Sequence, residues 1–562
     1  MESIKKFFTN NEWFLVLILV LVFIIIRLPG TSLPLHQDEY KWPLIVNPSL
    51  ESNSEIPHPP LSQFIYKVGG EIVGFNTNFR FIPLFFGTIN LLLLYYFVRE
   101  NFGKREAVIS GLIWVFSYFS VLASLMVDTD GEVMPFFFLL SLIGYFKLQN
   151  SEGRKKYLWG GLLLLSLVLG FFIKVSFILA MGAIIADFLW SKKHVVSKQQ
   201  VLRYLGFLFG GLVFLSALLF LAQYIFPFFS LSKSLEYWKH FLVFDRGWFQ
   251  TLIQCIKALL YSSPFLVLIP FLASRNNLSK TRVFIFFLIF SFVFYVVLFD
   301  FSIGALDRYL QLLILPLTVI SSVVISSTLK SDNRRFLEFL YLGAVIALFF
   351  VLLQSVSHYV PSLHPKSDWI NRAMSFRWNF LYPFSGGSGP LGFYVSFLFI
   401  ALSWLTTFTL VLFAYFKVNY KKLIIVLLIP LGIAYNLVFI TEYLFGFWNG
   451  SAPKLLLPAV EYIKNNSDIK MVTVYNDNGG NEIQEIGKYR KRLYTDPKFD
   501  VVEKVANLNL YKEHYFELNV PRVDPNSVYR KYFDSCEVIY KKTDKSISAI
   551  VYDCTKAPDI KI

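Results

Sequence analysis

Apolar runs long enough to cross a lipid bilayer follow one another along this 562-residue chain as far as Phe445. A helix rises 1.5 Å per residue, so about 20 apolar residues cross a hydrocarbon core of roughly 30 Å. Hydrophobic residues make up 55% of the chain and charged residues only 16%, a balance that suits a bilayer and not a soluble core. The runs lie at 13–28, 81–98, 107–126, 133–146, 158–173, 175–190, 204–226, 252–273, 283–299, 309–327, 336–355, 391–416 and 423–445. This pattern predicts an all-α polytopic membrane protein with about thirteen transmembrane helices.

Basic residues between the runs predict the orientation of the chain, because Lys and Arg are retained in cytoplasmic connections. They cluster in every second connection, at Lys5/Lys6, Arg99/Lys104/Arg105, Arg154/Lys155/Lys156, Lys192/Lys193/Lys198, Arg275/Lys280/Arg282, Arg334/Arg335 and Lys421/Lys422. The alternation requires the apolar stretch 158–190 to be divided at Lys174 into two helices. A cytoplasmic N-terminus is then expected, with everything after Phe445 on the outer side.

The segment 451–562, called the tail below, is polar and is predicted to be a domain separate from the membrane part, 1–450. Its stretches 470–475 and 546–552 alternate like half-buried strands, with Asn, Asp and Gly between them, so a small α/β domain is expected. Cys536 and Cys554 lie symmetrically about Lys545 in a predicted hairpin. A disulfide and two buried thiols both fit, since a change of register by one residue would turn one Cys to the opposite face.

The net charge of +15 does not indicate a nucleic-acid partner. The Lys and Arg residues lie mostly in short connections, where cytoplasmic retention and anionic lipid headgroups account for them. Membrane lipids are therefore the expected partner of these charges. A second open question concerns the aromatic segment 369–382 in a long predicted outer loop. Its rings suit an interfacial belt or stacking on sugar rings.

Two motifs occupy the segment 27–80, called the first loop below and predicted to be on the outer side. Asp38 and Glu39 are adjacent carboxylates, which can supply a general base and a hydrogen-bond or metal partner. Taken alone, the pair fits an ordinary solvated loop better than a catalytic site. His58 begins the motif His58-Pro59-Pro60-Leu61, which reads as a stiff turn before an amphipathic segment at 62–73.

Further ionisable residues lie near the ends of later helices, where placement close to the membrane core is costly and informative. The acidic turn, residues 128–132, contains Asp128, Asp130 and Glu132 and fits metal or cationic-substrate binding or simple solvation. Arg308, followed by Tyr309 and by Pro316 in the next helix, either grips an anionic phosphate or reaches toward lipid headgroups. Lys174 has the same two interpretations.

Taken in order, these motifs resemble the membrane-embedded C-type (GT-C) glycosyltransferases that use polyprenyl-phosphate sugars. The similarity is to the protein O-mannosyltransferase-like group, which includes the lipid A aminoarabinose transferases. It rests on elements that extend over most of residues 1–320: Asp38-Glu39, His58-Pro59-Pro60-Leu61, Arg80, the acidic turn, Lys174, and Arg308-Tyr309 to Pro316.

The resemblance implies transfer of a sugar by direct displacement, with polyprenyl phosphate as the leaving group. Asp38 would be the base that deprotonates the acceptor, with Glu39 in support. Either Asp128 or Asp130 would be the second functional acid, and Lys174 and Arg308 would bind the donor phosphate. His58 and Tyr309 are further candidates.

The implied co-substrate is a polyprenyl-phosphate sugar, and the acceptor is a protein, a glycan or a lipid. No cofactor is certain, and a divalent metal stays open, with Asp128 and Asp130 as its ligands if one binds. Two other functions compete with this one: a multi-pass lipid or glycan transporter or flippase, and an inactive assembly subunit with the GT-C fold. Transporters usually show internal repeats, which this chain lacks, and the retained carboxylates argue against an inactive subunit.

Overall fold

The structure is a computed structural model. It describes residues 12–46, 58–74, 76–192, 198–226, 229–242, 247–300, 308–329, 335–356, 359–381, 391–493 and 501–560.

Helices dominate the membrane part, because a chain in lipid must satisfy its backbone hydrogen bonds within each segment. They are α1 (Glu12–Arg27), α2 (Lys41–Val46), α3 (Pro60–Val73), α4 (Phe81–Asn101), α5 (Lys104–Phe116), α6 (Tyr118–Ala123), α7 (Met134–Gln149), α8 (Gly153–Ile173), α9 (Ile178–Lys192), α10 (Lys198–Ile225), α11 (Leu231–Phe241), α12 (Trp248–Leu260), α13 (Pro264–Leu268), α14 (Arg275–Lys280), α15 (Arg282–Phe292), α16 (Ile314–Thr328), α17 (Phe336–Val356), α18 (Trp369–Met374), α19 (Phe397–Phe416) and α20 (Lys421–Phe445). Shorter helical turns include Gln37–Tyr40, Asn76–Arg80 and Val175–Phe177, and a π-helical turn covers Thr129–Val133.

Within the described residues, nine helical segments are long and apolar enough to cross a membrane, or ten if the bent pair Trp248–Leu260 and Pro264–Leu272 counts as one crossing. The polytopic all-helical fold is therefore confirmed, whereas the count of thirteen is not. One reason is visible at Ser117, where the predicted run 107–126 is broken into α5 and α6. The bent pair, whose two helices meet at 107°, shows that apolar length alone does not define a straight crossing helix.

The expected division of the stretch 158–190 at Lys174 is confirmed. Helix α8 ends at Ile173, and Lys174 adopts an extended backbone (φ −157°, ψ 134°) before the turn Val175–Phe177. The break sets this side chain at a helix end, where it can reach the acidic turn.

The tail contains a five-stranded sheet with α21 (Ala452–Asn465), α22 (Gly480–Glu485), α23 (Val501–Leu510) and α24 (Val528–Phe533) around it. Its strands are β1 (Val472–Tyr475), β2 (Tyr489–Leu493), β3 (His514–Leu518), β4 (Glu537–Asp544) and β5 (Ile547–Asp553), in the order β2-β1-β3-β5-β4. Strand β1 pairs in parallel with β2 and β3, and β5 pairs antiparallel with β3 and β4. The expected small α/β domain is confirmed.

The hairpin β4–β5 answers the question that the sequence left open about the tail cysteines. Glu537 pairs with Asp553 at the open end of the hairpin, so the next residues outward, Cys536 and Cys554, face each other. They form a disulfide with a Cα–Cα separation of 4.7 Å. Cys255 is a buried thiol.

The tail packs against connections of the membrane part. Ser362 forms a parallel bridge with Arg522, and the backbone N–H of Ser546 donates to the carbonyl of Asn449 at 3.0 Å. A Cβ added at Gly392 would lie 2.2 Å from the carbonyl oxygen of Val520, so the two backbones touch.

Two rings of the aromatic segment 369–382, for which the sequence left a belt and sugar stacking open, are buried within the protein. Trp369 and Phe380 are 2% and 1% exposed and pack in one cluster with Ile253, so they form part of a protein core. Phe376 is 91% exposed, and Tyr382 lies outside the described residues.

Candidate active site

Glu39 is held in the first loop by a buried ion pair that the sequence did not predict in this form. Arg80 Nη1 lies 2.8 Å from Glu39 Oε1 and Arg80 Nη2 lies 2.9 Å from Oε2, with the side chains 1% and 0% exposed. This two-point contact satisfies both carboxylate oxygens in the planar geometry that a guanidinium favours. Glu39 therefore anchors the turn Gln37–Tyr40. The backbone of Asp38 belongs to that turn, and its side chain lies outside what the structure describes.

The same carboxylate joins the first loop to the residues before the acidic turn. The backbone N–H of Val127 donates to Glu39 Oε1 at 3.0 Å, and that of His36 donates to Oε2 at 2.9 Å. Arg80 also donates to the carbonyl of Leu125 at 2.5 Å. The first loop and the approach to the acidic turn thus share one buried network of charge-assisted hydrogen bonds.

The acidic turn follows a helix break and a close backbone contact. A Cβ at Gly131 would lie 2.8 Å from the carbonyl oxygen of Ala123, so only glycine allows this tight return of the chain. Asp128 caps the π-helical turn by accepting a hydrogen bond from the backbone N–H of Thr129 at 2.6 Å. These local features direct Asp128 and Asp130 toward other helices instead of toward water.

Each aspartate of the turn pairs with one of the predicted phosphate-binding cations. Lys174 Nζ donates to Asp130 Oδ2, and Arg308 Nη1 lies 3.2 Å from Asp128 Oδ2. Burial opposes ionisation of Asp128, but Arg308 and then Lys174 hold the pKa of its carboxyl below the ordinary value. Burial likewise opposes the charge of Lys174, yet Asp130 and its neighbours raise the pKa of the ammonium. The pKa shifts of Asp128 and Lys174 thus favour the charged forms of these two groups.

Tyr309 lies between the two cations. Arg308 Nη2 donates to Tyr309 Oη at 2.8 Å. Lys174 Nζ is 4.7 Å and Arg308 Cζ is 4.8 Å from the centre of the Tyr309 ring, within cation–π range. The ring centre of Tyr295 lies 5.4 Å from that of Tyr309. The ring of Tyr309 therefore contacts both positive groups of the cluster.

His58 belongs to the same cluster, next to an aromatic group that the sequence did not single out. The ring of Trp42 stacks on that of His58, with 5.9 Å between the ring centres. The ring centre of Tyr66 lies 4.3 Å from that of Trp42. Burial, followed by the positive charge of Lys174, lowers the pKa of His58 to about 3, so this imidazole is neutral. Tyr66 donates to the backbone carbonyl of Asp128 at 2.7 Å, and burial raises the pKa of its phenol. The amphipathic pattern of 62–73 was the available signal for Tyr66.

A cleft of about 420 Å³, counting its open mouth, adjoins this cluster. His58, Lys174, Tyr295 and Tyr309 supply its polar side, and Trp238 and Phe299 are among its apolar walls. Six predicted site residues are thus brought together: His58, Asp128, Asp130, Lys174, Arg308 and Tyr309. Among the described residues there is no group of three His, Cys, Asp or Glu side chains that could hold a metal ion.

A large, mostly apolar groove begins beside the residue after Tyr309. It measures about 1360 Å³ including its open side and is lined by Leu310, Leu313, Leu317 and by apolar side chains of α12 to α15. The charged cluster and this apolar groove are therefore linked by the consecutive residues Tyr309 and Leu310.

Comparison with known proteins supports a glycosyltransferase. Residues 57–220 match the dolichyl-phosphate-mannose-protein mannosyltransferase family. The fold is similar to that of ArnT from Cupriavidus metallidurans in the apo state, with 14% identity, a TM-score of 0.55 and coverage of 98% of each chain. It is also similar to the same protein bound to undecaprenyl phosphate, with 14% identity, a TM-score of 0.54 and coverage of 97% of this chain and 98% of that one. No curated protein matches the chain significantly in sequence.

The chain is a multi-pass membrane protein with the GT-C fold. Within that class its sequence is similar to the protein mannosyltransferases over residues 57–220, and its fold over nearly the whole chain is similar to ArnT. The resemblance inferred from the motifs is confirmed.

Proposed function

We propose that this chain transfers a sugar from a polyprenyl-phosphate donor to an acceptor hydroxyl by direct displacement at the anomeric carbon. The observation that carries the proposal is the pairing of two cations, the buried Lys174 and the partly buried Arg308, with two buried aspartates. An apolar groove begins at Leu310, two residues after Arg308. A lipid-linked phosphate needs this combination, because its charge requires cations and its prenyl chain requires an apolar surface.

Lys174 and Arg308 would bind the donor phosphate. As the bond from the anomeric carbon to the phosphate oxygen breaks, negative charge builds on that oxygen, and preorganised cations stabilise it most in a water-poor site. The ammonium of Lys174 has three donors, of which Asp130 accepts one. Tyr309 holds both cations in place from one side. The groove beginning at Leu310 would take the first prenyl units.

Asp38 would accept the acceptor's proton as the new bond to the anomeric carbon forms. Glu39 is assigned a positioning role, since both of its oxygens are engaged by Arg80 and by backbone N–H groups. His58 is neutral and can donate or accept a hydrogen bond without adding charge. Asp130 Oδ1 is buried without a hydrogen-bond partner among the described residues, and it can accept a hydrogen bond from a hydroxyl group of the sugar.

A divalent metal at Asp128 and Asp130 is a secondary part of this proposal. Carboxylate oxygens are suitable ligands for such an ion. In this structure each of the two aspartates already faces a cation, so a metal would have to replace Lys174 or Arg308 as a partner. The reaction described above does not need that exchange, because the two side-chain cations supply the charge on the leaving phosphate.

The orientation belongs to the same proposal: the N-terminus lies in the cytoplasm, and the site and the tail lie on the outer side. The alternation of basic connections supports this orientation. Residues 1–450 would form the transferase domain and residues 451–562 an outer domain that packs on it. The acceptor is a protein, a glycan or a lipid. The transporter alternative has less support, because the ionisable cluster sits with the motifs of a transferase family.

The test is transfer of radiolabelled sugar from a panel of polyprenyl-phosphate donors into a membrane extract of the source organism, using the purified full chain. Label should enter a protein, glycan or lipid fraction with at least one donor. Asp38→Asn and Arg308→Ala should abolish the transfer, whereas Asp534→Asn, a matched change at an exposed carboxylate in the tail, should retain it. Equal transfer by all three variants would refute the proposed site.

A further inference from the structure

Arg27 lies buried beneath the residues that lead into the acidic turn, and the transfer reaction does not use it. Its guanidinium is 0% exposed. Nε donates to Ser124 Oγ at 2.6 Å, and Nη2 donates to Ser120 Oγ at 3.0 Å. The other donors reach backbone carbonyls at the end of α1 and at the end of α5, next to the break at Ser117: Phe23, Trp114 and Val115. All five guanidinium donors are thus used, one by Phe23 of α1 and four by residues of the segment 114–124.

Glu132, the third carboxylate of the acidic turn, points away from the cations of the site. Asn90 Nδ2 donates to Glu132 Oε2 at 2.6 Å and to the backbone carbonyl of Glu132 at 2.8 Å. Both side chains are 0% exposed. The charge that faces this carboxylate is that of Arg27.

Helix α4 packs closely against Ser124 and Glu132. A Cβ added at Gly87 would lie 2.9 Å from Ser124 Cβ and 3.1 Å from Glu132 Cδ. Helix α4, which carries Gly87 and Asn90, therefore touches both ends of the segment 124–132. Arg27 holds the beginning of that segment, and Asn90 holds its end.

Burying this many polar groups among membrane helices is costly, so we expect them to serve a function. We propose that Arg27, Asn90 and Glu132 are positioning residues, which hold the two ends of the segment 124–132 so that Asp128 and Asp130 face Arg308 and Lys174. This inference rests on the proposed transfer reaction. It assigns the three carboxylates of the turn to two tasks: Asp128 and Asp130 serve the site, and Glu132 serves the frame beneath it.

The test compares Asn90→Leu with Asn101→Leu in the purified full chain. Both residues lie on α4, and the side chain of Asn101 donates to the carbonyl of Phe97. Asn90→Leu should lower kcat about 10- to 100-fold per folded molecule, because a displacement of about 1 Å is enough for such a loss. Asn101→Leu should stay within about twofold of wild type. Glu132→Gln, which can still accept from Asn90, should lose less activity than Glu132→Leu.

The pH profile separates positioning from a loss of folded protein. Arg308 and Lys174 hold the pKa of Asp128 down, so a displaced turn should raise that pKa and move the acidic limb of kcat/KM to higher pH. A purely structural role would reduce the amount of folded enzyme without moving the limb. Unchanged kcat, KM and pH profile in both Asn90→Leu and Glu132→Leu would overturn the proposal.

A second measurement keeps the failure of this inference distinct from a failure of the proposed function. Binding of undecaprenyl phosphate, followed by native mass spectrometry, needs no turnover. If wild type transfers no sugar but Asn90→Leu binds this lipid several-fold more weakly than Asn101→Leu does, the reaction is wrong and the positioning stands. Equal binding by the two variants together with an inactive wild type would overturn both.

Discussion

Glu39→Gln should destabilise the protein strongly, although the sequence motif suggests a catalytic carboxylate. The carboxylate makes a two-point contact with Arg80 at 2.8 and 2.9 Å, and both side chains are almost completely buried. Removing one partner from a buried ion pair leaves an uncompensated charge and costs about 3–5 kcal/mol. Arg80 keeps hydrogen bonds to three carbonyls, of Leu33, Pro34 and Leu125, so we expect a cost near the lower end, about 3 kcal/mol.

The assay is the free energy of unfolding from an SDS titration in mixed micelles, for Glu39→Gln, Arg80→Met and the double variant. The double variant removes both charges and should cost less than the sum of the single variants, by roughly 0.5–3 kcal/mol. Glu12→Gln is the matched control, because the Glu12 carboxylate also accepts two hydrogen bonds from one guanidinium, that of Arg99, but this ion pair is accessible to solvent. Exposed pairs contribute at most about 1 kcal/mol. A loss in Glu39→Gln no larger than in Glu12→Gln, with additive single effects, would refute the anchoring role.

Asp38→Asn should fold normally and lose about 10²- to 10⁴-fold in turnover, the range expected for a general base; turnover within about threefold of wild type at saturating donor would remove Asp38 from this role. Arg308→Ala should impair donor use far more than Arg308→Lys, and it should also move the acidic limb of activity upward, because Asp128 loses the cation that holds its pKa down; unchanged donor kinetics would identify Arg308 as a membrane anchor. Asp128→Asn and Asp130→Asn should differ in activity, since their partners differ, and equal small losses would remove both aspartates from the site. A chelator titration tests the metal separately, and unchanged activity after prolonged treatment would count against a required metal. Reduction of the Cys536–Cys554 bond should destabilise the tail by roughly 3 kcal/mol in the chain-entropy model, and mass spectrometry of non-reduced, alkylated protein should find only Cys255 alkylated.

Several parts of the site were predictable because they depend on local chemistry. The acidic turn, Lys174 and Arg308 are charged groups next to apolar runs, where an ionisable side chain is costly and therefore informative. The break at Lys174 followed from the length of the stretch 158–190 and from the alternation of basic connections. The five-stranded tail sheet agrees with the alternating stretches at both ends of the domain, although the sequence did not indicate β2 or β3.

Other features depended on contacts between residues far apart in the chain. Glu39 and Arg80 are 41 residues apart, and Arg308 lies far from Asp128 in sequence, so neither pairing follows from periodicity or spacing. The neighbouring carboxylates Asp38 and Glu39 looked alike as a motif, yet Glu39 is buried against a guanidinium. The frame formed by Arg27, Asn90 and Glu132 escaped notice because each residue sits singly in an apolar helix or in an already charged motif.

By itself the sequence determined the polytopic class, the break at Lys174, the polar tail and the identity of the charged groups, since these depend on hydrophobicity, length and charge along the chain. Only the tertiary structure decided which carboxylate meets which cation, that His58 stacks on Trp42 beside them, and that the two tail cysteines are bonded. The physical reason is that ion pairing, ring stacking and disulfide formation depend on distances of a few ångströms between distant segments. Those distances are set when the helices and the sheet pack.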